Sequence, residues 1–210
     1  MRKRQSAKRK KSKKQEQAQK PTVDIQDIEY ETEAVEEHAN VLFKPNPGPQ
    51  TDFLAASERE VLYGGSAGGG KSYAMLADPL RYMGHPQFSG LLLRHTTEEL
   101  RELIFKSQEL YPKIWPGIKW SERKMQWTAP SGARLWMSYL DRDEDVLRYQ
   151  GLAFSWIGFD ELTQWGSPYA WNYMRSRLRS TAPDLPIFMR ATTNPGGRGH
   201  HWVKKMFIDP

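Results

Sequence analysis

The sequence predicts an α/β fold: a mostly parallel sheet with helices on both faces and a small antiparallel insertion. Two observations lead there. From Val41 onward short apolar runs alternate with stretches of helical periodicity, and the first run ends in a glycine-rich turn that opens the first helix. Glu60 to Tyr63 is a short strand that runs into glycines, and Ser72 to Tyr82 is the helix after them. Gly90 to Arg94 is a second apolar strand, followed by a helix over Thr97 to Leu110 with Leu100, Leu103, Ile104 and Leu110 on one side. Ile118 to Trp120, Met125 to Thr128 and Arg134 to Leu140 read as short antiparallel strands forming an insertion, the last two joined by a turn at Pro130, Ser131 and Gly132. Phe154 to Phe159 is a buried strand, Pro168 to Arg179 a helix and Ile187 to Thr192 another strand. His201 to Phe207 opens a helix that the end of the chain is expected to cut short. Strands alternating with helices need a parallel sheet covered on both sides. Internal repeats and coiled-coil heptads are absent from the sequence.

At 210 residues and 38% hydrophobic content the chain has enough apolar surface for one packed core. It contains no cysteine, which excludes disulfides, thiolate metal sites and cysteine nucleophiles. No stretch approaches the roughly 18 consecutive apolar residues of a membrane span, and no apolar core follows the basic start at Arg2, so no membrane association is expected. The net charge of +6 conceals a segregation: residues 1–20 carry +9, residues 21–37 carry −7 and the remainder carries +4. Residues 1–37 are therefore read as a disordered basic then acidic tail, because they have too little apolar surface to offset the entropy of ordering. The basic part suits either nucleic-acid phosphates or simple solubility, and the acidic part has the charge to fold back on it. Residues 38–210 are read as the folded domain.

Gly65-Ser66-Ala67-Gly68-Gly69-Gly70-Lys71-Ser72 matches G-x-x-x-x-G-K-[ST] at every required position, between a predicted strand and a predicted helix. Glycines let the main chain wrap a phosphate chain with its N–H groups inward, and the helix N-terminus favours negative charge there. Lys71 is the candidate for the β and γ phosphates, and the Ser72 hydroxyl for Mg2+. The expected cofactors are ATP and Mg2+. No Asn-Lys-x-Asp segment is present to read guanine.

Such a loop needs an acid at the end of a neighbouring strand, and Trp156-Ile157-Gly158-Phe159-Asp160-Glu161 supplies two. Asp160 leaves the C-terminal edge of a buried strand, where α/β sheets place ligands, and is the second metal candidate. Glu161 is placed to orient or deprotonate a water, the feature that separates a hydrolase from a binder. Ala191-Thr192-Thr193-Asn194-Pro195-Gly196-Gly197 ends the next strand with polar side chains. Thr192, Thr193 and Asn194 are candidates for sensing the γ phosphate and passing its loss to the following segment.

The set FKPNPGPQTDF (Phe43 to Phe53), the P-loop, LLLRHT (Leu91 to Thr96), DVLRYQG (Asp145 to Gly151), WIGFDEL (Trp156 to Leu162) and ATTNPGG (Ala191 to Gly197) resembles the ATPase domain of the viral large terminase subunit, the DNA-packaging motor of tailed bacteriophages. That resemblance, from about Val41 onward, implies a P-loop NTPase of the RecA/ASCE type that hydrolyses ATP to drive double-stranded DNA into a procapsid. It implies that Gln50 reads adenine, that Lys71, Ser72, Asp160 and Glu161 do the chemistry, and that Thr192 to Asn194 couple it to movement. It also implies a homo-oligomeric ring, with a portal protein and a small terminase subunit as partners, in the host cytoplasm and transiently at the procapsid portal.

Two features depart from the family. Ser66 and Ala67 stand where many terminases carry a basic P-loop residue, so the transition-state charge calls for an arginine from a neighbouring subunit. Arg148 is the first choice, Arg177 and Arg179 are alternatives, and Arg94 comes after them. A nuclease domain is also part of the family and none follows here, so nuclease activity is not expected of this segment: either it is a fragment or cleavage is done elsewhere.

Other signals carry less. Asp141 to Asp145 has the carboxylate spacing of a calcium loop, but Val146 replaces the required glycine and Leu152 the bidentate glutamate. His200 and His201 lack a third ligand nearby. The eight tryptophans are mostly interleaved with strand residues, which favours packing over base stacking. The rival readings are a P-loop helicase or other nucleic-acid-dependent ATPase, a phosphotransferase and a binding module. Glu161 argues against a kinase, in which water must be excluded.

Overall fold

A computed structural model describes residues 43–209. The tail assigned to residues 1–37 and the start of folding at Val41 lie outside the described residues. One seven-stranded sheet organises the molecule, comprising β1 (Glu60–Gly64), β2 (Ser89–Arg94), β3 (Lys119–Ser121), β4 (Gln126–Thr128), β5 (Arg134–Tyr139), β6 (Trp156–Phe159) and β7 (Phe188–Thr193). Its order is β1-β7-β6-β2-β5-β4-β3. The first five are mutually parallel, and β4 and β3 add antiparallel at the far edge. The C-terminal ends of β1, β7, β6 and β2 therefore open on one side of the molecule. Gly64 lies opposite Thr193, and Phe159 opposite Ala191.

Alternation along β2 and β6 explains the two covered faces. Leu92 and Trp156 face a core formed with α1 (Pro49–Ala55), α2 (Lys71–Ala77) and α3 (Thr97–Ile114), which supply Phe53, Met75, Leu76, Leu100, Leu103 and Tyr111. Leu91, Leu93, Ile157 and Phe159 face the other core, closed by α4 (Tyr169–Arg175) and α5 (His200–Phe207) through Trp171, Met174 and Val203. Gly158 is required between them: a Cβ there would come within 2.7 Å of Met75 Sδ, so α2 settles closely on β6 only because the position is glycine. Among the described residues no helix is long and apolar enough to cross a membrane.

The α/β expectation with both faces covered is met. Four details differ. Arg134 to Leu140 is not part of an antiparallel insertion: β5 pairs parallel with β2 on one side and antiparallel with β4 on the other, so only β3 and β4 are the addition, and they prolong the same sheet. The helix expected over Ser72 to Tyr82 turns into a 3-10 helix at Asp78–Tyr82, because Pro79 lacks the N–H that an α-helix needs at that point. The helix expected to reach Arg179 stops at Arg175, since the chain beyond it pairs with Phe154, whose N–H donates to the Arg177 carbonyl at 2.9 Å while the Arg179 N–H donates back at 2.9 Å. Helix α5 is not cut short but closes within the chain, where the Ile208 N–H donates to the Lys204 carbonyl.

Candidate active site

The glycine-rich segment leaves β1 at Gly64 and enters α2 at Lys71. Gly70 caps the helix with φ 73°, and a Cβ there would lie 2.6 Å from Gln50 Nε2. Gln50 comes that close because its Nε2 donates to the Gly70 carbonyl at 2.8 Å, while its Oε1 accepts from the Asn46 N–H at 2.6 Å. Both ends of the amide are spent on main chain, so in this conformation Gln50 braces the loop. Adenine reading, which the resemblance assigns to it, would require one of these bonds to open. On the other flank the Tyr63 hydroxyl donates to the Gly69 carbonyl at 2.6 Å. Lys71 Nζ donates to the carbonyls of Gly65 (3.0 Å) and Ser66 (2.6 Å), which holds a buried ammonium inside the turn.

A cavity of about 510 Å3 opens in front of the loop, lined by Ala67 to Tyr73 on one side and by Arg94, Glu102, Lys106, Glu161 and Asn194 on the other. Just past the end of β6, Glu161 lines it and Asp160 lies buried beside Glu161. Asp160 is fully buried; its Oδ1 accepts from the Thr192 hydroxyl, and its Oδ2 lies 3.3 Å from Arg94 Nη1 without a hydrogen-bond partner. Burial raises the proton affinity of this carboxyl, and Arg94 and the Thr192 bond act in opposition. Glu161 stands in the left-handed region, φ 61°, a conformation that costs a non-glycine residue about 1–3 kcal/mol and that clusters at functional sites. Its Oε1 accepts from Asn194 Nδ2 at 2.9 Å and its Oε2 from the Asn194 N–H at 3.1 Å. Burial and then the neighbouring Asp160 charge push its proton affinity upward, against the Asn194 bond and the Arg94 and Lys71 charges.

Each polar residue at the tip of β7 touches a different part of the site. Thr192 holds Asp160 and accepts from the Glu161 N–H at 3.2 Å. The hydroxyls of Thr193 and Thr163 are 2.7 Å apart, which ties the tip to the segment after the acids. Asn194 holds Glu161, and its own Oδ1 is buried without a partner. Glu161 and Asn194 also form one wall of a second cavity, about 500 Å3, bounded by His95, Gln164 and Arg198.

The structure thus brings together Gly65 to Ser72, Asp160, Glu161 and Thr192 to Asn194. It does not bring Arg148 there. That residue is exposed on the 3-10 turn after β5, stacked on Tyr139, with its Nη2 donating to the Tyr139 carbonyl at 2.7 Å. Arg177 and Arg179 flank Phe154 at the other end of β6, before its first residue. Arg94 is the arginine inside the cavity of its own chain, buried, with Nε and Nη1 lacking acceptors. Sequence reasoning missed Glu102 and Lys106, an ion pair (2.5 Å) one turn apart on α3 that faces the loop. Their i, i+4 spacing was visible, but the direction of that helix face was not. Asp141 to Asp145 is a closed turn in which Asp145 Oδ2 accepts from the N–H groups of Asp141 and Arg142. Among the described residues no group of three His, Asp or Glu side chains gathers as a metal cage, His200 and His201 included.

A family model described as "Terminase large subunit, T4likevirus-type, N-terminal" matches residues 62–210. The chain belongs to the terminase large subunit family. Among solved structures, the large terminase of a thermophilic bacteriophage superposes with TM-score 0.63 at 17% identity, over 79% of this chain and 43% of that one. The same phage terminase in complex with ADP gives 0.60 at 18% identity, over 79% and 42%. The ATPase domain of the Thermus phage P74-26 large terminase gives 0.55 at 14% identity, over 82% and 72%. These likenesses concern the fold, and this terminase chain spans about 43% of the length of the first of those proteins. A comparison with curated proteins returned no match.

The terminase chain tests well against the groups its motif implies. Asp160 Oδ2 and Arg94 Nη1 are buried polar atoms without hydrogen-bond partners, and they sit beside a glycine-walled helix N-terminus. An oxygen-rich anion with a hard cation has the donors and acceptors to satisfy such a set.

Proposed function

We propose that this terminase chain hydrolyses Mg2+-ATP and that hydrolysis drives movement of double-stranded viral DNA into a procapsid. The observation that supports this most is Glu161 on the wall of the P-loop cavity, next to a buried Asp160 and held by the polar tip of β7. The P-loop N–H groups and Lys71 bind the phosphate chain, and the ammonium turns its remaining donor capacity from loop carbonyls to phosphate oxygens. Ser72 and Asp160 would hold Mg2+, which would supply positive charge to offset the repulsion of the phosphates. Arg94 adds a second fixed cation where the P-loop lacks one.

Glu161 is the base. Each of its oxygens accepts one bond from Asn194 and keeps a further lone pair for water, so Asn194 sets which way the carboxylate points. Its raised proton affinity strengthens it as a base. Loss of the γ phosphate changes what Glu161 and Asp160 face. Thr192 and Asn194, bonded to both, carry that change into the Pro195 to Gly197 turn.

Arg148 remains the candidate to act on a neighbour. It is exposed and supported by Tyr139, at a distance from its own site, as a finger in a homo-oligomeric ring would be. The ring would work at the portal protein, with a small terminase subunit as partner, in the host cytoplasm. The test is steady-state hydrolysis with and without double-stranded DNA. Stimulation by DNA supports the motor, whereas hydrolysis indifferent to DNA in an assembled ring contradicts it.

A further inference from the structure

Away from the phosphate side a second carboxylate is buried, and its surroundings differ in kind from those of a core. Asp78 closes α2, one residue beyond the end of the P-loop helix, and is fully buried. Its Oδ1 is paired with Arg81 Nη2, its Oδ2 accepts from Trp156 Nε1 at 2.7 Å, and Arg190 Nε lies 3.5 Å from the same oxygen. Trp156 begins the strand that ends in Asp160, and Arg190 is two residues before Thr192. The two arginines then reach one stretch of main chain. Arg81 Nη1 donates to the Leu54 carbonyl at 2.6 Å, Arg190 Nη2 to Ala56 at 2.9 Å and Arg190 Nη1 to Glu58 at 2.8 Å. Leu54 to Glu58 joins α1 to β1, and α1 carries Gln50, whose amide holds the Gly70 carbonyl at the start of α2.

The P-loop helix is therefore gripped at both ends by the same upstream segment, at Gly70 through Gln50 and at Asp78 through Arg81. We propose that Arg81 and Asp78 are positioning residues for nucleotide binding: they fix α1 as a strap along α2, and the strap sets the shape of the phosphate-binding loop. Guanidinium bonds to several carbonyls of one short segment, here at alternate residues, hold it in one register, which a single apolar contact does not do. The cluster's hydrogen bonds link the P-loop helix, the strap and the strands β6 and β7, whose C-terminal ends carry Asp160 and Thr192. This inference deepens the ATP-binding part of the function proposed above and rests on it.

Arg81 is half-exposed, so it can be changed without opening the core. The experiment compares the full chain with Arg81→Gln and Arg81→Lys, measuring melting temperature, KM and kcat for ATP, and the Kd of a fluorescent ADP analogue. The expected result for Arg81→Gln is about a tenfold rise in KM and Kd with kcat within about twofold, the size of effect of losing one charge-assisted bond. Arg81→Lys, which keeps the charge and one donor, recovers part of it. A lowered melting temperature with KM and Kd unchanged overturns the proposal and leaves the cluster a purely structural one, as does a fall in kcat at constant KM. Because the ADP analogue reads binding alone, failure of hydrolysis in the parent chain leaves this test intact.

Discussion

The molecule buries two carboxylate–arginine groupings, and they are built to opposite specifications. Around Asp78 both carboxylate oxygens are bonded, and two guanidiniums donate to the carbonyls of Leu54, Ala56 and Glu58, while Arg190 Nε, 3.5 Å from Oδ2, has no hydrogen-bond partner. Around Asp160 one oxygen has no hydrogen-bond partner, and Arg94 keeps two buried nitrogens without acceptors. The residue types are the same, and satisfaction separates their roles. A carboxylate with both oxygens bonded holds the fold in one geometry, whereas one with an unpartnered oxygen beside a cavity carries a desolvation cost that a bound anion and cation relieve. The Asp160 grouping sits where the parallel strands end, and the Asp78 grouping at the C-terminal end of the P-loop helix.

The sharpest way to break this contrast is Asp78→Asn. Removing the charge leaves Arg81 and Arg190 facing each other without a counter-ion, and the expected cost is about 3–5 kcal/mol in denaturant unfolding. A loss below about 1 kcal/mol would mean that the cluster is not what holds α1 to α2. Arg94→Met should behave the other way. Turnover should fall about 10²-fold, the order seen when a donor to transition-state charge is removed. Stability should change by less than about 2 kcal/mol, because two unsatisfied nitrogens leave with the side chain and Asp160 can take up a proton while keeping its Thr192 bond. Equal stability losses in the two variants would erase the distinction.

Smaller effects refine it. Asn194→Ala removes the side-chain amide and releases Glu161 Oε1, while the main-chain N–H still holds Oε2, and a loss of about tenfold in kcat with unchanged ATP affinity is expected in steady-state kinetics. A change in affinity alone would show that Asn194 serves binding rather than the base. The smallest effect belongs to Arg148→Ala: in the isolated subunit, hydrolysis should match the parent. Only an assembled ring should lose activity, and a mixed-subunit assembly reads this directly. Unchanged activity in the ring would remove Arg148 as the finger.

What could be read from the sequence followed the range of each interaction. Gly65 to Ser72 and Asp160-Glu161 declare their chemistry within a few residues, because phosphate and metal sites require fixed residue types at fixed spacing. The sheet exposed what those motifs need, with β7 between the P-loop strand and the acid strand placing Thr192 to Asn194 against both. The direction of β5 was not legible: its alternation and the Pro130 to Gly132 turn specify the hairpin partner β4, and nothing local reports that its other edge meets β2 in parallel. The Asp78 cluster was hidden for the same reason. Its partners lie far along the chain, at Trp156 and Arg190, and Arg190 reads as an interruption in an apolar strand until its acceptors are seen. Gln50 illustrates a third limit. A motif marks the residue, but which of its neighbours the amide satisfies is a matter of packing.

The central claim is that Glu161 activates water on ATP bound at the P-loop. The direct measurement is single-turnover hydrolysis of Mg2+-ATP by the full chain and by Glu161→Gln at matched occupancy of bound nucleotide. The account predicts unchanged ATP binding in the variant and a loss of about 10²–10⁴-fold in the hydrolysis rate. Hydrolysis by the glutamine variant at the parent rate would contradict it.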